Sequence, residues 1–201
     1  MDQQIKPLGV VLCGGESRRM GIDKSLINYH GISQREHVKK LLSPFCSPVV
    51  FSVGTNEDDS EEAFPDLPEY AGNGPLSGLL TLHHLFPEKS ILLIGCDYPL
   101  ILQSQLRTLI PENPSYFDAV CYVSGASFRP EPLLAWYSAD FCDRIHAELA
   151  KNGSNSLKKF LEQAHIHTHK MEKPIHLTSV DRPEDVTRVR QIIQNGFDTF
   201  V

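Results

Sequence analysis

Short apolar runs alternate with amphipathic runs along most of this chain, and that alternation limits the fold more than any other feature. The apolar runs are Leu8 to Leu12, Val49 to Val53, Ile91 to Ile94 and Ala119 to Val123. The first runs into Gly14-Gly15 and the third into Gly95-Cys96-Asp97, as buried strands running into loops do. Between the strands lie helical candidates at Ser33 to Leu42, Leu76 to Leu85, Gln103 to Leu109, Leu133 to Ala150 and Ser156 to Ala164. Strand-helix alternation implies right-handed crossovers and an α/β fold, three layers deep, with a mostly parallel sheet covered on both faces. In the last third, His165 to Lys170 and Ile175 to Thr178 read as short strands, and Pro183 opens a helix through about Gln194, with Asp181 or Arg182 near its N-cap. Residues 54 to 75 read as a long loop whose acidic stretch, Glu57 to Glu62, is a solvated surface.

A chain of 201 residues, 41% hydrophobic and 22% charged, supplies one sizeable core, so residues 1–201 are expected to form a single domain. No apolar stretch approaches the ~20 residues of a membrane span. The N-terminus lacks the basic start and cleavable apolar segment of a signal peptide. Five cysteines, widely spaced and never in a CxxC pair, suggest neither a disulfide framework nor a zinc knuckle, and a reducing cytoplasm fits. The net charge of −6 disfavours a protein that coats nucleic acid. Local basic clusters still suit a small phosphate ligand.

In open parallel sheets the ligand crevice lies outside the carboxyl ends of the strands. After the first strand, Gly14-Gly15 offers positive φ and a close backbone approach, and Arg18, Arg19 and Lys24 follow. Together they describe a triphosphate cradle; the plainer reading is a turn with solvated arginines. The spacing is not that of a P-loop, since Lys24 falls two residues too late, nor of G-x-G-x-x-G, since the two glycines are adjacent. Asp97, after the third strand, is placed to hold Mg²⁺ or, alternatively, to cap a helix. Gly72-Asn73-Gly74-Pro75-Leu76-Ser77-Gly78 is a glycine-rich turn opening a helix whose N-terminus favours anions. Asp181, beside Arg182-Pro183-Glu184-Asp185, either joins Asp97 at a metal or caps the last helix. His165, His167 and His169 alternate as an exposed edge strand does. His83-His84 reads as surface, and Cys13 and Cys96 as small residues packed at strand ends.

The segments Leu12-x-Gly14-Gly15-x-Ser17-x-Arg19-Met20-Gly21-x-x-Lys24, Gly74-Pro75-Leu76-Ser77-Gly78, Cys96-Asp97-Tyr98-Pro99, Arg129-Pro130-x-Pro132-Leu133 and Pro183-Glu184-Asp185 together resemble the molybdenum cofactor guanylyltransferases. That family consists of small nucleotidyltransferases with a Rossmann-like fold, and the resemblance spans about residues 8 to 195. It implies transfer of GMP from GTP to Mo-molybdopterin, with Mg²⁺ as cofactor. Proteins that deliver molybdopterin or mature molybdoenzymes are the implied partners. Leu12, Cys13, Gly14 and Gly15, with Gly74, Pro75, Leu76 and Gly78, would line the nucleotide. Asp66 would contact the nucleoside, Lys24 the phosphates and Asp97 the metal. Beside that, Arg19 is read as a second cation for the leaving pyrophosphate, and Asp181 as a second metal ligand or the helix cap. The chain departs from the family pattern at two places. Ser52 stands where an asparagine follows the second strand, and Ser179-Val180-Asp181-Arg182 stands where Asn-x-Asn-Thr is common. A CTP-dependent or sugar-phosphate nucleotidyltransferase and a non-catalytic nucleotide-binding module remain the alternatives.

Overall fold

A computed structural model describes residues 6–14, 23–55, 58–124, 129–151 and 156–196. Its strands are β1 (Leu8–Leu12), β2 (Val49–Gly54), β3 (Ala63–Pro65), β4 (Ile91–Gly95), β5 (Ala119–Ser124), β6 (Arg129–Tyr137) and β7 (Ile166–Lys170). Its helices are α1 (Gln34–Leu42), α2 (Pro75–Leu85), α3 (Gln103–Thr108), α4 (Ala139–Leu149), α5 (Leu157–Glu162) and α6 (Pro183–Asn195), with short 3-10 turns at Lys24–Leu26 and Pro174–Leu177. The strands form one sheet in the order β3-β2-β1-β4-β6-β5-β7. Every neighbouring pair is parallel except those of β6, which runs antiparallel to both β4 and β5.

The apolar runs are continuous because both faces of each strand are covered, so both sets of alternating side chains need burial. Val10, Ile91 and Leu93 pack on one face with Leu76, Leu79 and Leu80 of α2, Phe141 of α4 and Leu161 of α5. Val11, Leu92 and Ile94 pack on the other with Val38 and Leu42 of α1 and Leu106 of α3. A third, smaller cluster lies apart from the sheet and joins Ile27, Tyr29 and Leu100 to Val180, Val186, Val189 and Ile192 of the final segment.

Three expectations are corrected. The helix expected over Leu133 to Ala150 is two elements. Leu134 to Tyr137 is a wholly buried stretch of β6, and the helix begins only after Ser138, whose hydroxyl accepts from the Phe141 N–H. Ile175 to Thr178 is not a strand: Pro174 opens a 3-10 turn there, and the His176 ring is fixed by a 2.7 Å hydrogen bond to the Leu100 carbonyl. Within the long loop after β2, Ala63–Pro65 adds an edge strand. The strand with alternating histidines, β7, is the opposite edge of the sheet, as expected.

Candidate active site

The strand order reverses at β1, with β2 on one side and β4 on the other, so the crevice expected of such sheets opens at the ends of these three strands. Gly14 is a glycine there because of the backbone of β2. A Cβ on it would lie 2.5 Å from the Gly54 nitrogen, and its own φ is not left-handed. The N–H groups of Cys13 and Gly14 both donate to the Ser52 carbonyl, at 2.8 and 3.0 Å, so neither is presented to a ligand. Gly15 and Arg19, with Arg18, lie outside the described residues. Cys13 and Cys96 are buried with their sulfurs 3.7 Å apart, packed at the strand ends as expected.

Asp97 follows β4 and does not cap a helix, since α3 starts six residues later with Leu102 as its N-cap. Its main-chain carbonyl is held by the Val180 N–H at 3.0 Å. Its Oδ1 occupies the space that a side chain on Gly95 would fill, 2.3 Å from the position of a Cβ, and is buried without a hydrogen-bond partner among the described residues. Burial pushes this carboxyl up to about 6, a rise that the charge of Lys24 opposes and those of Asp181 and Glu131 reinforce. Glu131 sits near the start of β6, which runs antiparallel and so begins at the end of the sheet where β4 finishes, and it accepts from the Tyr98 hydroxyl at 3.1 Å. Glu131 gave no signal of this role in the sequence, because the role depends on β6 lying beside β4.

Lys24 opens the 3-10 turn that Asp23 caps by accepting from the Ser25 N–H. Its ammonium lies 3.0 Å from Oδ1 of Asp181, whose other oxygen accepts from Ser179. Asp181 therefore does not cap α6. The N-cap is Arg182, the other residue the sequence offered, and Asp185 at the third helical position accepts from the N–H groups of Asp181 and Arg182 at 3.0 and 2.9 Å. Chain segments around residues 24, 97 and 181 thus converge on one charged cluster.

The glycine-rich turn is built on α2. Gly74 is its N-cap with φ +59°, a conformation costly for any side chain, and Pro75 takes the first helical position. The Ser77 hydroxyl donates to the Tyr70 carbonyl at 2.6 Å and accepts from the Asn73 N–H at 3.0 Å. Leu76 is fully buried in the core and does not line the crevice. At Gly78 a Cβ would meet the Ser52 hydroxyl at 2.2 Å and Leu12 at 3.0 Å, so this glycine seats α2 on the sheet. Ser52 correspondingly lies within β2, 1% exposed, not after it, which removes its side chain from the crevice mouth. The residue type that the family carries after this strand stands at Asn56, outside the described residues. Asp66 is anchored by its N–H to the Gly54 carbonyl at 2.7 Å, and its Oδ1 is buried without a partner. Burial raises its carboxyl above the usual range. His83 is not on the surface: it is 4% exposed and pairs with Asp143 of α4 at 2.8 Å.

Mg²⁺ asks for one or two carboxylates and leaves the rest of its shell to water and substrate phosphates. Asp97, with an orphaned oxygen in a cradle left by Gly95, and the nearby Asp181 meet that requirement. Among the described residues no group of three or more His, Cys, Asp or Glu is placed to hold a metal by itself.

The chain is 29% identical over 184 residues to a molybdenum cofactor biosynthesis bifunctional protein of Synechocystis, a match covering 90% of this chain and 53% of that one, so the chain spans about half its length. It is 28% identical over 164 residues to a probable molybdenum cofactor guanylyltransferase of Bacillus cereus, covering 79% of this chain and 80% of that protein. Among solved structures, molybdopterin-guanine dinucleotide biosynthesis protein A from Archaeoglobus fulgidus superposes with a TM-score of 0.74 at 24% identity, over 94% of this chain and all of the other. Residues 9–169 match the family model described as the MobA-like NTP transferase domain, and the chain belongs to that family.

Proposed function

We propose that the protein is a molybdenum cofactor guanylyltransferase that transfers GMP from GTP to Mo-molybdopterin and releases pyrophosphate. The observation that carries this reading is the Asp97 carboxyl at the carboxyl end of β4, whose Oδ1 is buried with no hydrogen-bond partner among the described residues, within a charged cluster that contains Lys24. The terminal phosphate of the acceptor is a competent nucleophile at neutral pH. A bond forms from its oxygen to the α-phosphorus of GTP, and the bond from that phosphorus to the β-bridging oxygen breaks, so no covalent enzyme intermediate is needed. Asp97 with Asp181 would hold Mg²⁺, which would supply Lewis-acid neutralisation of phosphate charge.

The residues of the chain then divide the work. Lys24, released from or shared with Asp181, offsets charge on the phosphates, together with Arg19. Asp66 presents its unpartnered carboxylate oxygen to the nucleoside, where guanine offers adjacent N–H donors that adenine lacks. Base selection is assigned to Asp66 and the turn at Gly74 because Ser52 is enclosed by Gly78 and β2. The test is a turnover screen of GTP, CTP, ATP and UTP with Mo-molybdopterin and Mg²⁺, read by pyrophosphate release. GTP should be used best, and Asp97→Asn should abolish turnover without lowering the melting temperature. A preference for CTP, or full activity in Asp97→Asn, would overturn the reading.

A further inference from the structure

Leu67 is the hub of the segment that leads from β2 to α2. Its carbonyl accepts from the N–H groups of Tyr70 and Ala71 at 2.9 and 3.1 Å. Its own N–H donates to the Thr81 hydroxyl at 3.0 Å. Thr81 follows Ser77 by one helical turn, so the two hydroxyls share a face of α2, and both side chains are 1% exposed. A threonine hydroxyl in mid-helix commonly turns back on the carbonyl four residues earlier. This one instead receives an amide from the preceding loop.

Asp66 is therefore clamped from two elements. Its own N–H is fixed on β2 through the Gly54 carbonyl, and the next amide is fixed on α2 through Thr81. Between those anchors the Asp66 carboxylate carries a buried oxygen, Oδ1, with no partner among the described residues. The backbone is restrained on both sides of a side chain whose hydrogen-bonding capacity is not used up by the fold. We infer that Thr81 is a positioning residue for base recognition: its hydroxyl sets the peptide that aims the Asp66 carboxylate. The inference rests on the reading of Asp66 as the group that takes the N–H donors of guanine. Two parallel hydrogen bonds to one carboxylate demand a fixed plane, and a shift well under 1 Å degrades them.

Thr81→Val keeps the branched shape and removes the hydroxyl; Thr81→Ser keeps the hydroxyl. Each is assayed with Mo-molybdopterin and Mg²⁺ using GTP and ITP, whose base lacks the exocyclic amine, alongside thermal melting. Thr81→Val should raise KM for GTP about 10-fold, affect kcat far less, and move the GTP-to-ITP ratio of kcat/KM towards one. Thr81→Ser should restore both values. A Thr81→Val protein that melts lower yet keeps the wild-type KM and GTP-to-ITP ratio would overturn the inference, because the hydroxyl would then serve only the fold. Where valine is not accepted, Thr81→Ala gives the same comparison. Asp66→Asn separates the two ideas. If it leaves the GTP-to-ITP ratio unchanged, the reading of Asp66 fails and the inference with it. If it collapses the ratio while Thr81→Val does not, only the role of Thr81 fails.

Discussion

Gly95→Ala asks whether the shape of β4, as well as the carboxylate after it, makes the site. The added Cβ would lie 2.3 Å from Oδ1 of Asp97 but 3.4 Å from the Leu133 Cβ, an ordinary contact. Gly95 is not in a left-handed conformation, so alanine fits the strand and the carboxylate is the group that must move, by about 1 Å to reach van der Waals distance. An off-rotamer Asp97 costs about 0.5–1.5 kcal/mol. Replacing glycine restrains the unfolded chain and returns about 0.4–1 kcal/mol. The two nearly cancel, so the melting temperature should move by no more than about 2–4 °C. Activity should behave differently, because losing one positioned electrostatic group costs on the order of 10²-fold or more in kcat. Pyrophosphate release and thermal melting on the same preparation measure both quantities. Full turnover in Gly95→Ala with an unchanged melting temperature would show that the cradle is irrelevant to the chemistry and that Asp97 acts from another position.

Two further outcomes are expected. Lys24→Ala should weaken binding of GTP far more than of guanosine in calorimetry, since the ammonium sits in the cluster around Asp97 and Asp181; equal losses would remove it from the phosphate subsite. His37, stacked at 3.7 Å on His30, is lowered from 6.5 to about 4, first by burial and then by the charges of His30 and Lys40. The unfolded chain therefore binds a proton between pH 6.5 and 4 that the folded chain refuses, and His37 draws stability away as pH falls through that window. His37→Gln should flatten that part of the urea-stability profile relative to wild type, and parallel profiles would refute the assignment.

The strands were legible where both faces are covered, since Leu8–Leu12 and Ile91–Gly95 needed no partner to identify them. β6 was misread because its apolar run abuts an amphipathic helix with only Ser138 between them, and periodicity cannot divide such a join. β3 is three half-buried residues and leaves no pattern to read. Asp97 and Lys24 were visible from their positions after strands, and Asp66 only through the family resemblance. The choice between Asp181 and Arg182 as the N-cap was not, because the two are adjacent at the start of α6 and only the fold shows Asp181 turned to Lys24 and Arg182 at the cap. Glu131 and Thr81 owe their places to sheet order and to a loop folding back on a helix, neither of which is written locally.

The small cluster of Ile27, Tyr29 and Leu100 with Val180 and α6 gives the crevice a front wall with its own foundations. Lys24 and Asp181 meet across 157 residues of chain, so this wall is a seam between an early loop and the last segment. Its apolar contacts are separate from the two large clusters, and its ties to the end of β4 are the Val180 N–H on the Asp97 carbonyl and the His176 ring on the Leu100 carbonyl. A ligand gripped by both sides would act as a rivet, and the tail of the chain, beyond the last residue of the family match, would feel its arrival first.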